Sequence, residues 1–536
     1  MIKKHMNSSP RRLPLDIATF KVLREENYLY VDKTQHAYNL ITGGRRFFLS
    51  RPRRFGKSLF VSMLQEVLVG SRDLFKELWI DQSDYSWLPH GVIALDLSSL
   101  DVTTPHELTL GIADRLDEIV QTYDLGVVLD RVSAGLDLRK VVVALHRRFG
   151  RVAILIDEYD SLVLRSLNNQ EKAEQMRDAL HRFFSAIKGL DAYINFVFIT
   201  GVSSFAKAGI FSGMNNLQIL TLQESCVDIC GYTDAEVDTC LSTYIQAWAD
   251  KIPVSFAEQR QKIKDWYNGY RFSSTATTVY NPFSLMYALD RQKLENFWFS
   301  SGTPKFLVGE LKKKQQDNPE LFNAIVEGNP IEASQSSLGV FDIGLTPIPA
   351  LMFQTGYLTI VGYNERRNSY QLGYPNYEVQ QALQLYLLSI ITTLDNEATE
   401  SMATKLIIAL EKKDISSAIQ VIKQLFSHVP YQLYGTQEKH YHAILQMIFT
   451  VAGLASHAEF STSHGRIDMV VDLSSIIYVI EVKLNESAAK ALDQIEERKY
   501  YERFLHKNKT IMLLGIAFKR DAGSFDIEYE ERELAS

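Results

Sequence analysis

The stretch Phe-Phe-Leu-Ser-Arg-Pro-Arg-Arg-Phe-Gly-Lys-Ser, residues 47–58, decides the fold of the N-terminal half of the chain. It predicts a short apolar strand and a tight loop, followed by an amphipathic helix from Leu59 to about Val69. Strand, Gly-Lys-Ser and helix in this order are the context of a phosphate-binding loop, whose backbone N–H groups cradle phosphates. Lys57 would reach the terminal phosphates, and the Ser58 hydroxyl would bind Mg²⁺.

This loop departs from the usual Gly-x-x-x-x-Gly-Lys-Ser/Thr pattern, because Arg51 stands at the first glycine position. The departure puts the usual loop conformation in question more than phosphate binding itself. We expect Arg54, Phe55 and Gly56 to contact the nucleotide together with the lysine and serine that follow them. The alternative is an ordinary helix N-terminus.

Two further apolar runs end in polar residues. Val-Ala-Ile-Leu-Ile-Asp-Glu, residues 152–158, has the pattern of a buried parallel strand that carries a Walker B motif. Asp157 would hold the Mg²⁺ shell, and Glu158 would polarise the attacking water. The run at residues 194–201 ends near Thr200, which we expect to touch the γ-phosphate or that water. A plain exit from strand to loop is the alternative.

Strands alternate with helical segments from about residue 40 to residue 220, which predicts a doubly wound parallel sheet. Ligands of such sheets bind at the carboxyl ends of the strands. Lys57, Asp157, Glu158 and Thr200 all fall at such ends, so the motifs and the predicted fold agree.

A second constellation lies near the C-terminus, where His-Gly-Arg-Ile-Asp (residues 464–468) precedes an apolar run and Ile-Glu-Val-Lys (residues 480–483). Glu481 and Lys483 are two apart on a strand and share a face. Charges at a buried strand end are costly unless they pair, bind metal or act. Asp468 and Glu481 could hold a hard cation, and the lysine could stabilise charge at a phosphate. The pattern indicates metal-dependent phosphodiester hydrolysis; a structural ion pair is the alternative.

Composition sets bounds on these interpretations. The chain has 536 residues, of which 46% are hydrophobic and 23% charged, so it contains ample core material for two to four domains. The net charge of -7 gives no global basic field, so any nucleic-acid contact must come from local patches. The three cysteines suit a reducing cytoplasm and lack the ligands of a zinc site. We expect no secretory signal and no membrane span.

The middle of the chain carries two ambiguous features. The aromatic stretch at residues 267–272 favours packing over contact with a nucleotide or nucleic acid. The basic run has three equal interpretations: phosphate contact, an arginine supplied to a neighbouring subunit, or a solvated edge paired with acids. Its members are Arg45, Arg46, Arg51, Arg53 and Arg54.

Residues 430–525 resemble the PD-(D/E)XK nuclease superfamily. The resemblance implies that Asp468 is the first metal-binding acid and that Glu481 and Lys483 form the E-x-K pair. We expect a helix over residues 487–505, with Gln494 and Tyr501 at the auxiliary polar positions of the superfamily, and a final strand over residues 510–518. Upstream, Glu438 resembles the acid that some members place on the preceding helix, and Glu459 is a weaker candidate for that role.

Nearly the whole chain resembles prokaryotic AAA-ATPase-like proteins that carry a PD-(D/E)XK domain behind the ATPase, in which arginine at the first glycine position looks normal. The matching stretches are residues 30–34, 51–58, 157–160, 267–272, 280–284 and 355–358. The resemblance implies a P-loop NTPase doubly wound parallel sheet with a helical lid and connector, followed by a nuclease-like α/β domain. We place the boundaries at a tail (1–14), the ATPase domain (15–225), the lid (226–345), the connector (346–428) and the nuclease-like domain (429–536).

The expected function is ATP binding, and hydrolysis, coupled to a Mg²⁺-dependent nuclease that cuts DNA more readily than RNA; Mn²⁺ would also suit the nuclease site. A homo-oligomer is compatible with this assignment, as is a role in defence or in mobile-element handling. The alternative is a nucleotide-switched protein that grips nucleic acid or a protein partner without cutting. A helicase-like motor is a third reading, for which the sequence shows no separate motif set.

Overall fold

The computed structural model describes residues 10–534 apart from a set of short gaps. These gaps are residues 168, 205–209, 212–213, 215, 300–306, 308, 310, 312–317, 340–346, 430–437, 455, 463–464 and 522–523. The chain separates into two compact units, one of residues 1–307 with 330–378 and one of residues 308–329 with 379–536. The five-segment division given above remains a prediction.

A parallel five-stranded sheet forms the centre of the first unit, with strand order β2-β3-β4-β1-β5. Its strands are β1 (Arg46–Ser50), β2 (Gly91–Asp96), β3 (Val152–Asp157), β4 (Ile194–Gly201) and β5 (Gln218–Ile219). β1 and β3 are buried along their whole length, which explains their continuous apolar sequence. The predicted doubly wound parallel sheet is confirmed.

The helices of this unit bury apolar residues at helical spacing. The helix Gln170–Lys188, for example, buries Ala173, Met176 and Leu180, three or four residues apart. The helices are Phe20–Glu25, Thr34–Gly43, Lys57–Val69, Pro105–Thr122, Ala134–Phe149, Ser161–Ser166, Gln170–Lys188, Asp234–Cys240, Ser242–Ala249, Phe256–Tyr267, Pro282–Arg291, Gln335–Leu338 and Ile348–Thr355. Strands β6 (Ile331–Ser334), β7 (Thr359–Asn364) and β8 (Ser369–Gly373) form a small antiparallel sheet.

The aromatic stretch at residues 267–272 belongs to the core. Tyr267, Tyr270 and Phe272 are all at most 3% exposed, so the packing interpretation is confirmed. Gly269 has φ +108°, and a Cβ there would lie 1.8 Å from the carbonyl oxygen of Pro375. Only glycine allows this close approach of two backbone segments.

The second unit has a five-stranded sheet with order β13-β12-β11-β10-β9. Its strands are β9 (Ser456–Thr462), β10 (Gly465–Asp472), β11 (Ile476–Leu484), β12 (Thr510–Asp521) and β13 (Ser524–Glu533). β11 and β12 are parallel, and the other neighbours are antiparallel. The helices are Pro319–Glu327, Asn396–Glu411, Ile415–Ser427, Glu438–Val451 and Ala488–Glu497, together with Tyr377–Thr392, which begins in the first unit.

Two predictions for this unit were wrong in detail. The strand predicted at residues 510–518 exists as β12, but the final strand of the sheet is β13. The sequence of β13 is rich in glutamate, which an edge strand tolerates, so it lacks the apolar pattern by which a strand is recognised. The helix expected over residues 487–505 spans only Ala488–Glu497, because Lys499 takes a positive φ of 50° and stops it. A 3-10 helix, Glu502–Lys507, follows.

No helix in the described part of the chain is both long and apolar enough to cross a bilayer.

One buried acid of the first unit, Glu378, has an unusual environment. Its side chain is fully buried, and its Oε1 accepts hydrogen bonds from Ser284 Oγ at 3.0 Å and from the Trp298 N–H at 2.8 Å. Its Oε2 has no hydrogen-bond partner among the described residues. Burial raises the pKa of Glu378 to about 8, so the folded protein holds this carboxyl neutral at pH 7.

Glu378→Gln, which mimics the neutral acid, is expected to raise the melting temperature more at pH 8 than at pH 5. A carboxyl with a pKa raised by folding binds its proton more tightly in the folded chain. Ionisation in the unfolded chain therefore lowers the free energy of unfolding as the pH rises from about 4.5 towards 8. Thermal melts of both proteins across this range measure the effect. A stability difference that does not change with pH would contradict it.

Candidate functional site

The phosphate-binding loop follows β1 and reverses the chain through two residues with positive φ, Arg54 at 67° and Gly56 at 86°. Gly56 is the N-cap of the helix Lys57–Val69, and a Cβ built on it meets no atom within 4 Å. The space over the helix N-terminus is therefore open. Backbone N–H groups and the positive end of the helix dipole face that space, which suits an anion.

The Lys57 side chain joins this loop to the end of β3. Its Nζ lies 3.1 Å from the carbonyl oxygens of both Arg51 and Pro52, and 3.2 Å from Glu158 Oε1. Lys57 is only 4% exposed, so its charge is held by these oxygens rather than by solvent. The structure therefore brings Lys57 and Glu158 together, as the two motifs predicted.

Ser58 and Asp157 also meet. Burial raises the pKa of Asp157 to about 6, the Ser58 hydrogen bond lowers it, and the charge of Glu158 raises it further. A serine hydroxyl beside a carboxylate is a donor pair for a hard cation next to a triphosphate. The chemistry of these two side chains therefore fits Mg²⁺.

A cavity of about 730 Å³ opens over the loop, a volume typical of ligand sites. Its lining includes the loop residues 53–58 and Glu158, with the cationic side chains of Lys33 and Arg165. Residues of segments 14–18 and 282–287 also line it. Thr200 does not line the cavity: it is fully buried at the carboxyl end of β4, and its hydroxyl has no partner among the described residues. Its contact with phosphate remains a prediction.

For Arg51, none of the three interpretations of the basic run holds, although the pairing with acids expected in the third is found for Arg46 and Arg54. Arg51 is 1% exposed and donates hydrogen bonds to the carbonyl oxygens of Ser50, Thr221 and Cys226 at 3.0, 2.9 and 2.8 Å. Its guanidinium also stacks over the Phe272 ring at 4.0 Å. Arg51 therefore anchors the loop from inside the fold, where the usual motif has a glycine.

The other arginines of the run divide between the two ends of β1. Arg46, at the amino end, pairs with Asp191. Arg54, beside the cavity, lies 3.1 Å from Asp16 and 4.4 Å from the Phe283 ring centroid.

Asp160 is a structural residue of this site, to which the sequence motifs assigned no role. It is fully buried and accepts hydrogen bonds from the N–H groups of Val202 and Ser203 at the end of β4. A Cβ on Gly201 would lie 2.4 Å from its Oδ1. Asp160 therefore links the segment after β3 to β4, and an Asp three residues beyond the strand was the signal available in the sequence.

Arg51→Ala is expected to lower the free energy of unfolding by about 3 kcal/mol or more, because each buried acceptor left without a donor costs about 1–3 kcal/mol. Urea unfolding followed by circular dichroism measures the change. Arg53→Ala is the matched control, since Arg53 is exposed in the same loop. Equal stability of the two variants would contradict a structural role for Arg51.

The second constellation lies on β10 and β11, whose antiparallel register pairs Met469 with Ile480. Asp468 Oδ2 accepts a hydrogen bond from the Val482 N–H at 2.9 Å, which links the two strands at the site. Lys483 Nζ lies 3.1 Å from Glu481 Oε1, and Gln494 Nε2 donates to the same oxygen. The predicted acids, lysine and glutamine therefore meet at one place.

The helix Glu438–Val451 closes this cluster. Glu438 Oε2 accepts from the Leu484 N–H at 3.0 Å, and its Oε1 lies 3.7 Å from Lys483 Nζ. One turn later, His442 Nε2 lies 3.4 Å from Asp468 Oδ2 and 4.0 Å from Glu438 Oε1. His442 was not predicted as a site residue, although its i,i+4 spacing from Glu438 put both on one helix face.

The electrostatics of this cluster favour a cation. Burial, and then the charge of Asp468, raise the pKa of Glu481 to about 7, and burial also raises the pKa of Asp468. Burial acts to lower the pKa of Lys483, but the charges of Glu481 and Glu438 outweigh it and raise this pKa. Glu481 is 1% exposed, and its Oε2 has no hydrogen-bond partner among the described residues. A partnerless buried carboxylate oxygen is a natural metal ligand.

Within the described residues, no three His, Cys, Asp or Glu side chains are placed as a ready-made metal cage. Mg²⁺ does not require one, because one or two carboxylates usually hold it while waters and phosphate oxygens complete the shell. Asp468 and Glu481 fit that arrangement.

Tyr501 and Glu459 were the two weaker candidates for this site. Tyr501 packs against the apolar core of the second unit. The side chain of Glu459 lies outside the described residues.

Comparisons with known proteins match the two parts of the chain in which these sites lie. The family model described as a predicted AAA-ATPase matches residues 14–211, and that of the PD-(D/E)XK nuclease superfamily matches residues 436–526. An uncharacterized protein encoded in the vnfD 5' region of Azotobacter chroococcum mcd 1 is 34% identical over 532 residues, which cover 96% of this chain and 98% of that protein. The chain belongs to this family, the AAA-ATPase-like proteins with a C-terminal PD-(D/E)XK nuclease superfamily domain.

Among solved structures, the ORC1 protein of Aeropyrum pernix in complex with DNA matches 66% of this chain and 91% of that chain, with 14% identity and a TM-score of 0.24.

Proposed function

We propose that the protein binds and hydrolyses ATP and uses it to control a metal-dependent nuclease that hydrolyses phosphodiester bonds in DNA, with RNA as a lesser substrate. The observation that carries this proposal is the meeting of Asp468, Glu481, Lys483, Gln494 and Glu438 at one place in the second unit. Lys483 and Gln494 both donate to the buried Glu481, and Glu438 lies 3.7 Å from the same lysine. This arrangement supports a site for cutting a phosphate ester over a surface ion pair.

Asp468 and Glu481 would hold Mg²⁺, or Mn²⁺, through their carboxylates. A bound cation supplies Lewis-acid polarisation of a phosphate oxygen and a lowered pKa of bound water. Lys483 stands between Glu481 and Glu438 and would stabilise the negative charge that develops on the phosphate. The hydrogen bond from Gln494 would fix the orientation of the Glu481 carboxylate. Glu438 would fix the position of the end of β11, because it accepts a hydrogen bond from the Leu484 N–H.

In the first unit, Lys57, Ser58 and Asp157 would hold the nucleotide phosphates and their Mg²⁺. The Glu158 carboxylate, which pairs with Lys57, would polarise the attacking water once a γ-phosphate takes over the lysine. The ion pair between Lys57 and Glu158 therefore provides a physical reason why hydrolysis would depend on a fully bound triphosphate.

The biological setting that we propose is defence against foreign DNA or the handling of mobile elements. The pairing of the two domains is the basis for this part of the proposal. The three free cysteines favour a reducing cytoplasm. Assembly as a homo-oligomer is compatible with an AAA-ATPase-like domain.

Lys483→Ala is expected to reduce cleavage of linear, circular or single-stranded DNA by about 100-fold or more, because it removes the charge opposite the developing phosphate charge. Cleavage is measured with Mg²⁺ or Mn²⁺, with and without ATP, and RNA is run in parallel. Lys405→Ala, an exposed lysine of the same unit, should cleave like the wild type. Absence of metal-dependent cleavage by the wild type in every condition would leave the nucleotide-switched binding protein as the better assignment.

Lys57→Ala is expected to weaken ATP binding by about 10- to 100-fold, since a lost charged hydrogen bond costs about 1.5–3 kcal/mol. Titration with a fluorescent ATP analogue measures the Kd, and phosphate release measures hydrolysis. Lys76→Ala is the control, with a lysine that is 70% exposed in the same unit. Unchanged ATP affinity in Lys57→Ala would refute the assigned nucleotide site.

A further inference from the structure

Trp298 donates two hydrogen bonds, one to the phosphate-binding loop and one to a buried acid. Its indole Nε1 donates to the carbonyl oxygen of Arg53 at 3.0 Å, and its backbone N–H donates to Glu378 Oε1 at 2.8 Å. The residue is 6% exposed. One residue therefore joins the backbone of the loop to Glu378, through its indole on one side and its backbone N–H on the other.

Glu378 lies in the first turn of the helix Tyr377–Thr392. It is also bonded to the helix Pro282–Arg291 through Ser284 Oγ, at 3.0 Å. From Val379 onward the helix belongs to the second compact unit. A shift of Trp298 or Ser284 would therefore act on the first turn of the helix that carries the chain from the first unit into the second.

The loop is packed tightly against residues that follow it much later in the chain. Gly356 has φ +90°, and a Cβ there would lie 2.7 Å from Pro52 Cβ and 3.3 Å from Trp298 Cζ2. Phe55 packs edge-on against Tyr270, with ring centroids 4.7 Å apart. A close-packed interior transmits strain because it has no space in which to absorb a displacement. A change in the loop backbone must therefore be taken up by Trp298 and its neighbours.

We propose that Trp298 and Glu378 transmit nucleotide occupancy of the phosphate-binding loop to the helix Tyr377–Thr392. This inference rests on the nucleotide binding proposed above and adds the route by which it would regulate the second unit. This requires that the loop has two conformations, which differ in the position of the Arg53 carbonyl, and that the nucleotide binds one of them more tightly than the other. By linkage, a change in the first turn of the helix would alter nucleotide affinity to the same extent.

The test is hydrogen–deuterium exchange of the amides in residues 381–392, with and without a saturating non-hydrolysable ATP analogue. In the wild type, nucleotide should change their exchange rates by about fivefold or more, the lower range of allosteric coupling. Trp298→Phe keeps a ring in the core and removes the indole donor to Arg53, so this difference should largely disappear. Trp248→Phe is the matched control: Trp248 is 5% exposed in the core of residues 237–297, and the variant should keep the full difference.

Ser284→Ala cuts the other contact of Glu378 without touching Trp298 or the loop, and should also reduce the difference. If Trp298→Phe does not fold, the result for Ser284→Ala alone tests the transmission route. Analogue binding is measured separately for every variant. If the wild type binds the analogue but exchange does not change, or if both variants keep the wild-type difference, the transmission route is wrong while nucleotide binding stands. Equal loss in Trp248→Phe would also overturn it. If the wild type binds no nucleotide, the proposed nucleotide site fails and the inference fails with it.

Discussion

The cost of burying carboxylates is the constraint on which the rest of the structure depends. Asp157, Asp160, Glu378 and Glu481 are each at most 6% exposed, and burial raises the pKa of each one. Such groups persist only where hydrogen-bond donors or cations compensate for lost water. In this protein the compensating groups come from neighbouring strands and helices, so each acid ties several elements together. Strand ends, loops and helix starts are positioned by these contacts.

The two candidate sites use the same pairing of charges. Lys57 lies against Glu158 in the first unit, and Lys483 lies against Glu481 in the second. Each lysine side chain is largely buried, and its nearest counter-charge is its glutamate. A phosphate group entering either site would compete with the glutamate for the lysine. In both sites the lysine is paired with a glutamate, and an anionic ligand can replace that glutamate as its partner. This arrangement suits a protein that acts on phosphates.

The arginine of the phosphate-binding loop illustrates how a motif can change without losing its geometry. Arg51 replaces a glycine, yet its side chain is directed into the fold and bonded to three carbonyl oxygens, so the loop retains the positive-φ glycine before the lysine. The same loop also contacts later parts of the chain: Pro52 packs against Gly356, Phe55 packs against Tyr270, and the Arg53 carbonyl accepts a hydrogen bond from Trp298. Its conformation is thereby coupled to residues more than 200 positions later in the chain, which is why the loop cannot be understood as a local motif.

The sequence by itself determined the parallel sheet, the two motif strands and the shared face of Glu481 and Lys483, because strand burial and the two-residue alternation are local properties. The place of Asp468 beside them was expected from the resemblance to the PD-(D/E)XK superfamily. It could not determine which polar groups meet across elements: His442 beside Asp468, Asp160 beside Ser203, and Glu378 beside Ser284 and Trp298. It also left the role of Arg51 open, because a buried and a solvated arginine look alike in sequence. Only the tertiary structure decided these, since hydrogen bonds between distant segments depend on how the chain packs and leave no periodic signal along it.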